Sequence, residues 1–425
     1  MSRSPSVSSA TSLAIIVISL LLLGSPLLVP FASAQKLVAT VKVGTTPYGI
    51  AYDSGKGEVF VVNRDSDQVS VISDSTNQVV ATVAMPNEST PFGAAYDSAK
   101  GEVWVTVSST DTVAEISDAN NTIVATAKLA NGNGPEGITY DSAKGEMFVT
   151  NFVSGTVSII SDATSKVVKR VALPSGSGPY EAAYDSGKGE VFVADGYATS
   201  NVTVISDATN TVVATIGVGN APFGVAYDPA KGEVFVTNGG DTDTSVISDS
   251  SNSVVATIPG VGVYDAVFDA ARGEIFVSSA GDPGMISAIS DATNKVVDTV
   301  NVGSQPIGLA YDPARGEIFS ANSGDGTVSV ITDVNITSTS SSSTSTTTAI
   351  STAGSQSFQS TTAPLTTTAA SSGSPTSVQT SASSPPAGGG VPDFPYQPIM
   401  VAFLTVILAG AYLLVRSRGH PRNHH

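Results

Sequence analysis

A decapeptide, YDSGKGEVFV, occurs twice in the chain, at Tyr52–Val61 and at Tyr184–Val193. Copies or near-copies recur at steps of about 43 residues, seven in all. The other five begin at Tyr96, Tyr140, Tyr227, Phe268 and Tyr311. A fixed period of this length is typical of propellers and solenoids, because each unit must present the same surface to its neighbour. The repeat therefore constrains the fold more strongly than the length of 425 residues does.

Each unit contains four short segments rich in valine, isoleucine and aromatic residues, which predicts four β-strands. We name them A to D, and in the first unit they read GIAYD, EVFVVN, VSVISD and VVATVAM. The decapeptide spans strands A and B, and its aspartate and its glycine, Gly57 in the first unit, predict a tight turn with a positive φ at the glycine. Seven aspartates end the C strands: Asp74, Asp118, Asp162, Asp207, Asp249, Asp291 and Asp333.

The two ends of the repeat region predict a closed ring. The region begins with an isolated D strand, KLVATVKV at Lys36–Val43, and stops after a C strand, TVSVITD at Thr327–Asp333. The isolated strand would complete the last blade and leave no open edge. A solenoid is the alternative, but it would need terminal caps, which the sequence does not show. We therefore predict an all-β, seven-bladed β-propeller over residues 35–335, closed by its N-terminal strand.

The segment PFGVAYDPAKGEVFVTN at Pro222–Asn238, with VISD and VVATIGVG after it, resembles the YVTN-type β-propeller repeats of prokaryotic cell-surface proteins. Many of these proteins are archaeal and surface-layer-like. VTN recurs at Val149–Asn151, with VVN at Val61–Asn63 and SAN at Ser320–Asn322, whereas the other blades depart from the pattern. The resemblance covers Lys36–Asp333 and implies a propeller at a cell surface. It implies no particular ligand, because one fold serves many functions. The GH…WD signature of WD40 repeats is absent.

The two chain ends predict export and membrane attachment. Residues 1–34 combine Arg3, an apolar run and the small-residue site ASA, which predicts a signal peptide cleaved before Gln35; an uncleaved anchor is the alternative. Residues 336–397 are rich in serine, threonine and proline and predict a disordered, O-glycosylated stalk. Residues 398–415 predict one transmembrane helix, and the basic residues 416–425 a cytoplasmic tail. The protein would thus be a single-pass cell-surface protein with its N-terminal part outside.

The stretch VPDFPYQP before the predicted span resembles the first part of the three-part sorting signals of prokaryotic surface proteins. That resemblance implies cleavage near Val391–Pro398 and transfer to an envelope lipid. Pro392, Pro395 and Pro398 would keep the stretch extended and accessible. A permanent anchor is the simpler alternative, because it requires only the span itself.

Composition excludes several function classes. The chain has no cysteine, and its histidines are His420, His424 and His425, so the repeat region cannot build a thiolate site, a histidine-ligated metal or a Ser-His-Asp triad. Of 36 acidic residues only Asp393 lies outside the repeat region, which therefore holds 35. Of 19 basic residues 15 lie inside it, because four lie outside: Arg3, Arg416, Arg418 and Arg422. A net charge of −20 excludes nucleic acid as a partner.

Alternating strand direction predicts two different faces. The B–C and D–A loops share one face, and the D–A loops lead into the innermost strands, so they should ring the mouth of the central channel. One variable position there is aromatic or acidic in most units, and Glu181 and Asp265 replace the glycine that follows it in two of them. Such a mouth could bind a sugar or a cation, although packing between blades also explains the aromatic residues. The variable position is occupied by Tyr48, Phe92, Glu136, Tyr180, Phe223, Tyr264 and Ile307.

The A–B and C–D turns form the other face, and their sequences are nearly invariant. We interpret their alternating charges as a solvated surface constrained by the repeat. The basic positions of this face are Lys56, Lys100, Lys144, Lys188, Lys231, Arg272 and Arg315.

Two loops place oxygen ligands at alternate positions, as calcium loops do. Neither loop has the glycine and the distal glutamate of an EF-hand, so turn formation is the preferred interpretation, and we expect no metal and no cofactor. The weak metal candidates are Asn63, Asp65, Asp67, Asp241 and Asp243. Four N-x-S/T sequons predict glycosylation of the exported chain, at Asn87, Asn120, Asn201 and Asn335.

The sequence thus predicts a cell-surface propeller that acts by noncovalent binding of an envelope protein or glycan, or as part of the envelope structure. We expect no enzymatic activity. The alternatives are a lactonase-like or quinoprotein-like propeller enzyme that uses carboxylates or an axial calcium ion, and a passive surface-layer spacer.

Overall fold

The computed structural model describes residues 35–196 and 199–332. The predicted signal peptide, stalk, span and tail, together with Asp333 and Asn335, lie outside these residues. No helix in the described part of the chain is both long enough and apolar enough to cross a bilayer.

Seven four-stranded antiparallel sheets make up the described structure, in agreement with the predicted blades. The innermost A strands are β2 (Pro47–Asp53), β6 (Pro91–Asp97), β10 (Pro135–Asp141), β14 (Pro179–Asp185), β18 (Pro222–Asp228), β22 (Ala266–Asp269) and β26 (Pro306–Asp312). The B strands are β3 (Glu58–Asn63), β7 (Glu102–Val107), β11 (Glu146–Asn151), β15 (Glu190–Asp195), β19 (Glu233–Asn238), β23 (Glu274–Ser279) and β27 (Glu317–Asn322).

The C and D strands complete the blades. The C strands are β4 (Gln68–Ser73), β8 (Thr112–Ser117), β12 (Thr156–Ser161), β16 (Asn201–Ser206), β20 (Asp243–Ser248), β24 (Gly284–Ser290) and β28 (Thr327–Thr332). The D strands are β1 (Lys36–Lys42), β5 (Gln78–Ala84), β9 (Thr122–Lys128), β13 (Lys166–Ala172), β17 (Thr211–Gly217), β21 (Ser253–Pro259) and β25 (Lys295–Val302). Two short 3₁₀ turns, Arg64–Ser66 and Ser108–Thr110, lie in B–C loops.

The ring is closed by the strand that the sequence assigned to this role. Strand β1 pairs antiparallel with β28, from Lys36 opposite Thr332 to Lys42 opposite Thr327, so the seventh blade has the order β1-β28-β27-β26. Strand β2 of the first blade contacts β26 of the seventh, as each A strand contacts the next around the ring. The prediction of a closed seven-bladed propeller is confirmed.

The core consists of seven wedges, each between two neighbouring blades. One large aromatic side chain from strand B fills the centre of each wedge and is almost completely buried. Burial of such a ring contributes about 1.5–3 kcal/mol, so the seven rings hold the blades together. They are Phe60, Trp104, Phe148, Phe192, Phe235, Phe276 and Phe319.

Every D strand contains a β-bulge at the valine in its third position. In the first blade Val71 pairs with Ala81 and Ile72 with Val79, which leaves Val80 unpaired and 53% exposed. The bulge explains why two consecutive valines can occupy an outer strand, since only the first follows the regular alternation. The bulged residues are Val38, Val80, Val124, Val168, Val213, Val255 and Val297.

The decapeptide turns have the predicted geometry. In the first blade Asp53 Oδ1 accepts hydrogen bonds from the backbone N–H groups of Gly55 (2.8 Å) and Lys56 (3.2 Å), and Gly57 has a φ of 67°. The equivalent glycines also have positive φ, which favours glycine at this position. We call the face that carries these turns the lower face, and the face that carries the B–C and D–A loops the upper face.

Candidate functional site

A β-bulge interrupts most A strands at the upper end of the channel. In the first blade the pairing with strand B shifts between Pro47 and Ile50, so Tyr48 and Gly49 lie outside the regular ladder. Five other blades have the same irregularity, whereas β22 starts only at Ala266. Bulges of this kind redirect side chains, and here they act on the variable position and on the residue that follows it.

The variable positions lie in a ring around the upper end of the channel, because neighbouring A strands contact one another. Six of these residues belong to strand A itself and not to the D–A loop where the sequence placed them; Tyr264 does precede its strand. The longer strand A arises because the bulge lets pairing resume at the preceding proline. We call this set the mouth ring: Tyr48, Phe92, Glu136, Tyr180, Phe223, Tyr264 and Ile307.

The aromatic members of the mouth ring pack against each other across blades. The ring centroids of Tyr48 and Phe92 are 4.1 Å apart, and those of Tyr180 and Phe223 are 4.5 Å apart in a stacked arrangement. Phe223 meets Tyr264 edge-on at 5.5 Å. These contacts are the interblade packing that the sequence analysis set against ligand binding, and they also present aromatic faces at the mouth.

Two B–C loops add side chains to the mouth ring. The guanidinium of Arg64 lies 5.9 Å from the centroid of the Tyr48 ring, within cation–π range. Phe152 contacts Tyr180 with centroids 5.1 Å apart. Neither residue was a site candidate from the sequence, because only the fold brings these loops beside the channel.

The residues that directly follow the mouth-ring residues in sequence form a second layer, which we call the collar. A Cβ atom added at any of its five glycines would clash with a neighbouring backbone carbonyl, such as that of Tyr48 next to Gly308. Glycine is therefore required wherever the A strands approach so closely. Two blades replace it with an acid, and the Glu181 carboxylate lies over Gly137 of the preceding blade. The collar consists of Gly49, Gly93, Gly137, Glu181, Gly224, Asp265 and Gly308.

Hydroxyl groups tie the collar to the next blade at four seams. Thr106 Oγ1 accepts a hydrogen bond from the N–H of Gly93 (2.8 Å) and donates one to the carbonyl of Glu136 (2.6 Å). Sequence reasoning missed these residues, although a threonine or serine before the last residue of strand B was a visible signal. The equivalent bridging residues are Thr150, Thr237 and Ser278.

The glutamates of the mouth lie in an environment that favours their protonated forms. Glu136 is 7% exposed, its Oε2 has no hydrogen-bond partner, and burial raises its pKa to about 8 although the charge of Arg64 opposes this. Burial also raises the pKa of Glu181 well above its usual range, and the charges of Asp265 and Glu136 add to the effect. Desolvation and like charges both destabilise the ionised carboxylates.

Asp265, unlike the two glutamates, accepts hydrogen bonds from the backbone. Its Oδ1 accepts a hydrogen bond from Ala266 N–H (2.7 Å) and its Oδ2 one from Leu309 N–H (2.8 Å) in the next blade. Burial raises its pKa to about 6, and these two hydrogen bonds limit the rise. The pKa of the Tyr48 phenol is raised well above its usual range, mainly by burial and then by the charge of Glu136.

A small cavity of about 50 Å³ lies at the collar. Glu181 and Asp265 contribute carboxylates to its wall, and Tyr48, Phe223 and Ile307 contribute apolar surface. The structure therefore brings six of the nine predicted mouth residues to one place. Five of them line the cavity, namely Tyr48, Glu181, Phe223, Asp265 and Ile307, and the charge of Glu136 acts on Glu181. A wider funnel of about 660 Å³ opens farther along the channel, lined by Tyr52, Tyr96 and Tyr140 among others.

The lower face is more than the solvated surface that the sequence suggested. Each lysine of the decapeptide donates a hydrogen bond from Nζ to the backbone carbonyl of the aspartate that ends strand C in the following blade. A lysine side chain is long enough to span the seam, which explains the difference. The pairs are Lys56 to Asp118, Lys100 to Asp162, Lys144 to Asp207, Lys188 to Asp249 and Lys231 to Asp291.

The weak metal candidates serve as hydrogen-bond partners, most of them between a B–C loop and a D–A loop. Asn63 Oδ1 accepts from Gly44 N–H, Asp65 accepts from Thr46 and Arg64, and Asp243 Oδ1 accepts from the side-chain amide of Asn238. Asp67 accepts from the backbone N–H groups of residues 88–90, and Asp241 from Asn220. Within residues 35–196 and 199–332, no three acidic or histidine side chains are grouped so that they could hold a metal ion.

The predicted glycosylation sites differ in access. Asn87 on the upper face and Asn120 in a lower-face turn are exposed, whereas Asn201 at the start of β16 is half-buried. The structure thus leaves two of the three described sequons open to an attached glycan.

The fold and the mouth define a closed seven-bladed β-propeller with an acidic, aromatic site on its axis. Neither protein-family models nor curated protein sequences match this chain. Solved propeller structures do match it at low identity. A hydrazine synthase of Kuenenia stuttgartiensis matches with a TM-score of 0.61 and 16% identity over 69% of this chain and 98% of the other. A streptogramin B lyase matches with a TM-score of 0.61 and 15% identity over 70% and 97%. At such identities the similarity supports the fold alone.

Proposed function

We propose that this chain is a cell-surface binding protein of the YVTN-propeller type, which holds its ligand noncovalently at the mouth ring and the collar. One observation carries the proposal. Glu181 and Asp265 replace glycine at collar positions where the five other blades keep it, so the repeat itself does not require these acids. Burial of carboxylates without a basic partner disfavours folding, which indicates that their role lies elsewhere.

The upper face is the better candidate for recognition. Its loops differ among the blades, whereas the lower face repeats the same turns and links blade to blade. Strand β1 starts and strand β28 ends at the lower face, so a tether that continues beyond Thr332 is compatible with a free upper face. Variable loops on a rigid scaffold are the usual location of binding residues.

Noncovalent binding fits the chemistry of the mouth better than catalysis. The described chain has no histidine and no cysteine, so acid–base chemistry would depend on Glu136, Glu181 and Asp265 alone. These groups lie beside closely packed aromatic rings, which suit recognition of a ligand surface.

The binding proposal is tested with the full chain and a variant that restores the repeat residue at both collar positions, Glu181→Gly together with Asp265→Gly. A panel of defined envelope glycans, amines, amino acids and divalent cations is screened by the rise in melting temperature. We expect at least one compound to stabilise the wild type and not the double variant. Glu88→Gln, an exposed acid of the same face, is the control and should bind like the wild type. A panel that never distinguishes wild type from the double variant would favour a passive spacer.

The location is tested on the protein from its native source. Proteolysis of intact cells should remove the propeller from the surface, and the mature N-terminus should be Gln35. An intact mass that includes His425 would show a permanent anchor, and a chain that ends near Val391–Pro398 with added lipid would show processing. Glycopeptides should contain Asn87 or Asn120, and bare asparagines at every sequon would contradict the glycosylation proposal.

A further inference from the structure

The collar cavity has the features of a site for a positively charged group. Glu181 has no hydrogen-bond partner among the described residues, and its carboxylate borders the same cavity as that of Asp265. The two oxygens of Asp265 each accept one backbone hydrogen bond and retain a further lone pair. Two carboxylates beside one cavity therefore have unused acceptor capacity.

A third carboxylate, deeply buried and unpaired, supports the same conclusion independently. Glu136 is 7% exposed, and its Oε2 has no hydrogen-bond partner. Its charge acts on Tyr48 of the first blade and on Glu181 of the fourth, so the carboxylate adds negative charge beside the collar. Arg64 is the only basic side chain of the described residues that acts on it, and none acts on Glu181 or Asp265. The mouth therefore has more negative than positive groups.

The surroundings distinguish between kinds of cation. Calcium takes six to eight oxygen ligands, and no group of three acidic side chains is arranged to hold an ion in the described chain. The cavity wall instead places Tyr48 and Phe223 beside the carboxylates. Aromatic rings attract organic cations through their electron-rich faces, and an alkyl chain can lie against them.

The volume of the cavity limits the group that can enter. About 50 Å³ accommodates a few atoms of the size of water, so a sugar ring cannot enter. An ammonium group with an adjoining methylene can enter, whereas three methyl groups on the nitrogen would exceed the space. The remainder of such a ligand would lie at the mouth ring.

We propose that the collar binds the primary ammonium group of an amine-bearing ligand between Glu181 and Asp265, with Tyr48 and Phe223 beside its first methylene. This inference rests on the proposed binding function and assigns its ligand class. A primary ammonium has three N–H donors, which two carboxylates can accept while Glu136 adds favourable charge.

Binding of the ammonium group is linked to release of protons. Without ligand, burial raises the pKa values of Glu136, Glu181 and Asp265, and the charges of Asp265 and Glu136 raise that of Glu181 further, so these carboxyl groups hold protons more tightly than exposed ones do. The ammonium group binds the ionised carboxylates, so affinity increases as the pH rises through about 6 to 8. The other titratable or charged groups that act on these carboxyls or on Tyr48 are Arg64, Tyr180 and Tyr264.

The test is calorimetric titration of the full chain with n-butylammonium, tetramethylammonium and calcium chlorides at pH 6 and pH 8. We expect saturable binding of n-butylammonium, about tenfold or more tighter at pH 8, with no binding of tetramethylammonium. Glu181→Gln should abolish binding, and its unchanged melting curve at pH 6 would show that it is folded. Glu88→Gln should bind as the wild type does.

The outcomes separate this inference from the broader proposal. Calcium or tetramethylammonium binding at the collar in place of n-butylammonium would overturn the ammonium assignment and leave the binding function intact. Binding of a neutral compound that requires Glu181 and Asp265, with no binding of amines, would likewise overturn the ammonium assignment and leave the binding function intact. If no compound of any class depends on these acids, both the assignment and the proposed function fail.

Discussion

The hydroxyl of Tyr96 in the second blade interacts with the carboxylate of Asp53 in the first blade. The same seam contact recurs around the ring, and burial together with the adjacent carboxylates raises the pKa of these phenols above its usual range. The contact ties the lower ends of neighbouring A strands together. Equivalent pairs are Tyr52 with Asp312, Tyr140 with Asp97, Tyr184 with Asp141 and Tyr227 with Asp185.

Phe268 provides no hydroxyl at the seam between the fifth and sixth blades, where burial raises the pKa of Asp228. We expect Phe268→Tyr to stabilise the propeller by about 1 kcal/mol, because the phenol would lie between the carboxylates of Asp228 and Asp291, as Tyr52 lies between those of Asp312 and Asp74. Urea unfolding of the full chain measures the change. Tyr96→Phe is the matched control and should destabilise by a similar amount. A destabilising Phe268→Tyr would show that this seam is not equivalent to the others.

Glu115 in β8 stands where the other C strands have an apolar residue, and it is 2% exposed directly opposite Trp104. Ser165 donates a hydrogen bond to its Oε2 (2.8 Å), whereas Oε1 has no partner, and burial raises its pKa. We expect Glu115→Val to raise stability by about 1–3 kcal/mol at pH 8, because an unpaired buried carboxylate is removed.

The pH dependence provides the control for that prediction. A raised pKa in the folded state means that the folded protein holds the proton more tightly than the unfolded chain, so stability decreases as the pH rises through the raised value. The gain from Glu115→Val should therefore shrink toward pH 4 in thermal melts. Glu115→Gln, which keeps the contact with Ser165, should remove the pH-dependent part alone. An equal gain at pH 4 and pH 8 would contradict the electrostatic explanation.

Two glycines with opposite surroundings test the close packing of the collar. A Cβ atom added at Gly308 would clash with the carbonyl of Tyr48, whereas a Cβ atom at Gly217 would meet no atom within 4 Å. We expect Gly308→Ala to destabilise by about 1–3 kcal/mol through backbone displacement. Gly217→Ala should stabilise by about 0.5–1 kcal/mol through reduced entropy of the unfolded chain. Denaturant titrations compare the two, and a neutral Gly308→Ala would mean that the A strands can move apart.

Removal of the closing strand, Lys36–Val43, should cause aggregation or loss of cooperative unfolding. Val41 of this strand is 6% exposed and belongs to the core wedge between the seventh and first blades. Deletion exposes that wedge and the edge of β28. Size-exclusion chromatography and calorimetry measure the outcome. A soluble deletion variant with a single sharp transition would contradict the need for closure.

The blades, their number and their closure could be predicted from the repeat. Strand and turn formation depend on local sequence, and the same local sequence recurs seven times at a regular spacing. The roles of Asp53 and Gly57 in the first turn illustrate this, since both follow from residue type alone. The bulge at Val80 was not predicted, because alternation alone does not show which of two valines leaves the ladder.

The residues of the mouth could be predicted from the sequence, but the contacts between them could not. The sequence identified Tyr48 by its variable position, and Glu181 and Asp265 by their replacement of the repeat glycine. It could not show that the charge of Glu136 acts on Tyr48 of the first blade and on Glu181 of the fourth, nor that Arg64 lies over Tyr48, because these contacts depend on the radius of the ring. Side chains from distant repeats meet only once the ring is closed.

The pairing of β1 with β28 has a consequence for the order of folding during synthesis of the chain. The first strand of the ring emerges before all others, yet its partner ends at Thr332 and emerges last. Contacts of such large sequence separation form slowly, so β1 must remain unpaired while six blades assemble. Lys36 and Lys42 at its two ends, and the bulge at Val38 between them, oppose premature pairing with another chain during this interval.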